Sequence, residues 1–164
     1  MFKIMQTILR GINNEVTIDS NGPVIIIGEC INPTRRKRLA IAEKILERAV
    51  KTGIKEENVI IDPLAMAVSA DSRACVVTLE TIRLVHQKLG LNITIGASNI
   101  SFGLPGREDL NSAFVSLAIM NGLTCPIANP EKITAAIRAS DLLLGRDEYA
   151  VRFVDYFQNR TITS

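Results

Sequence analysis

The chain has 164 residues, enough for one domain with a substantial core. Apolar residues make up 47% of it, which argues against disorder, and 19 basic against 17 acidic residues leave a net charge of only +2. That balance gives no electrostatic ground for a nucleic-acid or membrane-surface partner, and no apolar run approaches the ~18 residues of a spanning helix.

Residues 4–19 read as a short N-terminal β-hairpin: Ile4 to Leu9 and Val16 to Ile18 flank a turn-rich segment, Gly11 to Asn14. Val24-Ile25-Ile26-Ile27 is a continuous β-branched run, the pattern of a strand buried on both faces. It ends in Glu29-Cys30-Ile31-Asn32-Pro33. A helix is expected over roughly 36–52, with Leu39, Ala42, Ile45, Leu46 and Ala49 on one face and Gly53 as its stop. The basic run Arg35-Arg36-Lys37-Arg38 opens it. Such a run is most often a solvated helix start; the alternative is a site for phosphate or an acidic partner.

Val59-Ile60-Ile61 is the next strand and runs into Asp62-Pro63-Leu64. Asp71 or Ser72 can cap a helix to about Leu89, with Cys75, Leu79, Ile82, Val85 and Leu89 inward. Strand 92–97 leads to a loop around Asn99. Helix 108–121 is expected to bury Leu110, Phe114, Leu117 and Met120. Cys125-Pro126-Ile127-Ala128 is a short last strand, Pro130 starts another helix, and a final helix covers about 147–158.

Strands that alternate with helices predict a parallel sheet with right-handed crossovers. Ligands of such sheets sit at the carboxyl ends of the strands. Polar residues collect there: Glu29 and Asn32, then Asp62, then Ser98 and Asn99, then Asn129. Each has a structural reading taken singly: Glu29 can pair with Arg35 or Arg36, Asp62 can cap the turn before Pro63, and Asn32 before Pro33 can start a turn. Together at one edge they favour a binding site. Gly96 and Ser98 keep the backbone thin for a flat ligand, Asn99 offers a donor and an acceptor, and Arg107 offers a fork of donors.

The cysteines Cys30, Cys75 and Cys125 are scattered, no C-x-x-C pair occurs, and His86 is the single histidine. No metal site is expected. An odd set of cysteines without a secretory signal fits the cytoplasm.

Four segments carry a family signature: Gly28-Glu29-Cys30-Ile31-Asn32-Pro33-Thr34, Ile61-Asp62-Pro63-Leu64, Gly96 through Arg107, and Asn111-Ser112-Ala113-Phe114. They resemble the pterin-binding methyltransferases, which include methyltetrahydrofolate:corrinoid/iron-sulfur protein methyltransferase and the folate module of cobalamin-dependent methionine synthase. The resemblance covers roughly residues 15–157. It implies a TIM barrel, an architecture of eight strands and about 250 residues. Only about four core strands are evident, matching by motif the first, sixth, seventh and eighth. The expected fold is therefore α/β, a truncated TIM-barrel-like sheet with outer helices. It would form a single domain over 1–164 with a hairpin extension over 1–23 and an internal deletion near 38–41.

The resemblance also implies a reaction, in which a methyl group passes from N5 of methyltetrahydrofolate to the corrinoid (cobalamin) cobalt of a partner protein. Asn99 would hydrogen-bond near N5, and Asp62 would grip the pterin's 2-amino and ring N–H edge. Glu29, Asn32, Gly96, Ser98 and Arg107 would bind substrate. Cys30 stands where an arginine is common, and polar groups from the absent strands are lost. The alternative is a non-catalytic pterin- or partner-binding fragment. Open sheet edges make a homodimer the expected assembly.

Overall fold

A computed structural model describes residues 8–10, 24–27 and 34–161, with the first two segments and residues 160–161 described by their backbone. Among them five strands form one sheet in the order β1 (Ile8–Arg10), β2 (Val24–Ile27), β3 (Val59–Asp62), β4 (Asn92–Gly96) and β5 (Cys125–Ile127). Every pairing is parallel. Chain order and spatial order coincide, so the sheet is wound in one direction. The winding never reverses, unlike that of a doubly wound sheet.

The helices are α1 (Arg35–Lys51), α2 (Ala74–Leu89), α3 (Arg107–Met120), α4 (Pro130–Leu143) and α5 (Val151–Thr161). Successive helices pack side by side: α1 on α2, α3 on α4, and α4 on α5. Val59, Ile61, Ile93 and Ile95 form the buried core with Ile82, Val85, Val115 and Ala118 of the helices. Alternation along the strands puts Ile60 and Asp62, and Thr94 and Gly96, on the other face.

The hairpin expected over residues 4–19 falls mostly outside the described residues; its described part, β1, runs parallel to β2. Helix α1 passes without interruption through residues 38–41, where the deletion was expected.

Two expectations about burial need correction. In α3 the inward residues are Phe114, Val115, Ala118 and Ile119, whereas Leu110, Leu117 and Met120 are exposed. Both stripes are apolar at helical spacing, and the one that includes the small Ala118 is buried. In α2 the threonines Thr78 and Thr81 are buried beside Ile82 and Val85, while Cys75 and Leu79 are only partly buried. Thr81 tolerates this because its hydroxyl donates to the Val77 carbonyl at 2.7 Å.

Candidate functional site

The site is built from the turns that leave β3 and β4. At the end of β3, Asp62 Oδ1 accepts the Leu64 amide at 2.8 Å, closing a two-residue turn. Leu64 adopts φ +64°, the left-handed region that a branched side chain rarely enters. Helix α1 holds it there. The Arg38 side chain, 6% exposed, donates through Nη1 to the Pro63 carbonyl at 2.7 Å and the Leu64 carbonyl at 2.8 Å. From α2 the Thr78 hydroxyl donates to the same Leu64 carbonyl at 3.3 Å. The solvated reading of the basic run is thus wrong for Arg38. The sequence did carry a signal: Arg38, Ala42, Ile45 and Ala49 share one helical stripe. Arg35 is exposed and pairs with Glu80 of α2.

Asp62 is partly buried, and that burial pushes its carboxyl above the usual aspartate range; the Leu64 amide and the Arg38 charge pull back only part of the way. A cleft of about 20 Å³ beneath α1 and α2 also reaches the end of β3, with room for one water.

β4 ends at Gly96 and continues into a 3-10 turn, Ala97–Asn99. Ser98 and Asn99 are exposed, and Ala97 and Ile100 anchor the turn in the core. Asn99 folds back over Gly96. A methyl group on Gly96 would lie 3.3 Å from Asn99 Nδ2, so the glycine gives the amide room to lie low over the strand end.

Arg107, expected to bind substrate, bonds to the Asn99 loop. Its Nη2 donates to the Ser98 carbonyl at 2.9 Å and its Nε to the Ser101 hydroxyl at 3.1 Å. It clasps the loop that carries Asn99. Ser101, fully buried, was not singled out in the sequence, although it completes the clasp.

The two turns are joined. The Val68 amide donates to the Ile100 carbonyl at 3.0 Å, and the Ser69 hydroxyl donates to the Phe102 carbonyl at 2.6 Å. The segment that follows the Asp62 turn is thereby tied to the Asn99 loop, and both leave adjacent parallel strands on one rim, the carboxyl edge of the sheet. Glu29 and Asn32 lie outside the described residues. Asn129 caps α4, its Oδ1 accepting the Glu131 amide at 3.0 Å.

Beside Ser98, between the first turns of α3 and α4, lies a cleft of about 190 Å³ lined by Glu108, Asn111, Asn129, Lys132 and Ile133. The buried Asn111 Oδ1 has no hydrogen-bond partner among the described residues. Among these residues no group of three or more His, Cys, Asp or Glu could hold a metal ion, and no helix is long and apolar enough to cross a membrane.

The model of the family described as "Pterin binding enzyme" matches residues 32–129. A methylcorrinoid:tetrahydrofolate methyltransferase from Eubacterium limosum is 31% identical over 134 residues, covering 79% of this chain and 49% of that protein. The chain thus spans about half the length of this relative.

Proposed function

This chain belongs to the pterin-binding methyltransferase family, and from that premise we propose that it moves a methyl group between N5 of tetrahydrofolate and the cobalt of a corrinoid (cobalamin) carried by a partner protein. The observation that carries the reading is the single rim that joins the Asp62 turn to the Asn99 loop. Asp62 and Asn99 follow neighbouring parallel strands at one carboxyl edge, where Gly96 leaves room at the strand end, an arrangement suited to a flat heterocycle.

In this reading the ionised Asp62 accepts two N–H bonds from the pterin's 2-amino and ring N–H edge, a planar pairing like that of carboxylate with guanidinium. Asn99 hydrogen-bonds at N5. When the carbon–nitrogen bond breaks, the electron pair stays on nitrogen. A proton at N5 lets the amine leave neutral, and an amide supports that proton without taking it as a stronger base would. The relative's name gives the methylcorrinoid as donor; a rim that stabilises the transition state serves both directions. Arg107 acts through the Asn99 loop, and Gly96 and Ser98 form the floor. The cleft beside Ser98 takes the part of the folate beyond its rings. Glu29 and Asn32, which follow β2 in the sequence, would add pterin contacts by the family resemblance.

We read residues 1–164 as one domain, a shortened TIM barrel whose first strand lies beside a later one, with the intervening strands absent. The one-directional winding and the β2–β3 pairing support this. Two copies covering each other's open side would form a homodimer. The free thiols of Cys75 and Cys125 suit a reducing cytoplasm.

A second reading, a pterin- or partner-binding fragment without turnover, is favoured by the half-length match to the relative. Calorimetric titration with 5-methyltetrahydrofolate, followed by reduced cobalamin, separates the two. Saturable binding and methylcobalamin formation, reduced about 10- to 100-fold in Asn99→Ala, support the enzyme. Binding without turnover supports the pterin-binding fragment, and absence of binding removes the enzyme and the pterin-binding fragment alike.

A further inference from the structure

Arg38 ties α1 to the turn holding Asp62 by hydrogen bonds, and it does so from inside the protein. Its Nη1 donates to two successive carbonyls, those of Pro63 and Leu64, and lies 3.4 Å from the Thr78 hydroxyl. Two consecutive carbonyls can point at one guanidinium only if the chain turns sharply between them. That turn is the left-handed step at Leu64. The Pro63 carbonyl and the Leu64 N–H belong to one peptide plane, so the hold on that carbonyl also fixes the direction of the N–H that meets Asp62 Oδ1. One carboxylate oxygen is thereby fixed in direction, and the plane of the carboxylate follows. A planar two-point grip on a ligand depends on that plane.

We propose that Arg38 is a positioning residue for ligand recognition: it holds the Pro63–Leu64 turn in the conformation that aims the Asp62 carboxylate along the rim. The proposal rests on the reading above that Asp62 grips the pterin. Leu64 would otherwise relax toward negative φ, because no glycine is present to make the left-handed step easy. The Pro63–Leu64 peptide plane, no longer held by its carbonyl, is then free to rotate, which carries the Leu64 N–H off Asp62 and lets the carboxylate swing. Lysine at position 38 can still donate to both carbonyls, through a single nitrogen, so it retains part of the hold. A neutral side chain of similar length fills the space and donates nothing.

The experiment compares Arg38→Met, Arg38→Lys, Asp62→Asn and the Arg38→Met/Asp62→Asn double variant by calorimetric titration with 5-methyltetrahydrofolate. Amide hydrogen exchange is followed at Leu64, with Ile93 and Ile95 as core references. Arg38→Met is expected to weaken binding at least tenfold and to raise Leu64 exchange at least tenfold with Ile93 and Ile95 still protected. Arg38→Lys is expected to recover a large part of both. In the Asp62→Asn background Arg38→Met should weaken binding no further, since the two residues act through one grip.

Equal losses in both backgrounds, or unchanged binding in a folded Arg38→Met, would overturn the role of Arg38 alone. Unchanged binding in Asp62→Asn would overturn the reading of Asp62 and the proposal with it. Should Arg38→Met fail to fold, Arg38→Lys decides: unaltered Leu64 exchange together with weakened binding contradicts the proposal, and raised exchange with weakened binding supports it.

Discussion

The Arg107 guanidinium reaches back across the loop before its own helix to the Ser98 carbonyl, 2.9 Å away, and locks the segment that presents Asn99. The side chain is exposed, so solvent screens much of its charge. Arg107→Ala should cost only about 1 kcal/mol of stability. Its larger effect should be on hydrogen exchange at residues 98–101, measured by mass spectrometry, with methyl transfer falling while folate affinity stays within a few-fold of wild type.

Asp62 gives a pH signature whose sign is fixed by its burial. Its folded pKa is raised, so its contribution to stability is present below the ordinary carboxylate range and is lost as pH rises through the raised value. Asp62→Asn keeps an oxygen acceptor for the Leu64 amide and removes the buried charge. The variant should melt higher than wild type at neutral pH, and the gap should close in acid. Calorimetric Tm values taken across pH 3–8 (roughly the span bracketing an aspartate pulled upward) check this. A gap that widens in acid would contradict it. The same variant should lose folate binding.

Gly122 adopts φ +110°, and a methyl group built there would come within 2.5 Å of the His86 ring. Gly122→Ala carries both a strained backbone and a steric overlap, together about 2–4 kcal/mol. Adding His86→Ala should relieve the overlap with the ring and leave the contact with the retained Cβ, 2.7 Å away, together with the backbone part. Chemical denaturation of the single and double variants separates the ring's share from the rest.

Asn129 stood among the strand-end polar residues, but its side chain caps α4. Asn129→Ala should lower stability by about 1 kcal/mol and Asn129→Asp by less. Denaturant midpoints of the two variants check this.

The strands β3 and β4 were legible because runs such as Val59-Ile60-Ile61 have few alternatives when flanked by turn residues. Helix boundaries followed from glycines and caps, as at Gly90, whose φ of +64° ends α2. The α3 face was ambiguous because apolar residues occupy two overlapping stripes, and only the packing partner selects between them. Asp62 and Asn99 were visible as polar residues after apolar runs, and motif resemblance gave them roles. Arg38 was obscured by its neighbours: three other basic residues precede it, and its partners lie 25 and 26 residues further on. Charge pattern is local, whereas the burial of an arginine is decided by a carbonyl pair from another element. The loop contacts of Arg107 were not legible for a related reason, since a fork of donors recognises backbone carbonyls as readily as a substrate anion.

Strand β5 is three residues long and has Pro126 at its centre, opposite Ile95. Proline brings no N–H, so the outer flank of this strand is a poor template for a further chain. A fibre built head to tail, each molecule adding its sheet to the last, would meet a gap in the ladder at every junction. The sequence thereby carries a brake on open-ended polymerisation at one flank, of the kind a sheet that does not close on itself requires.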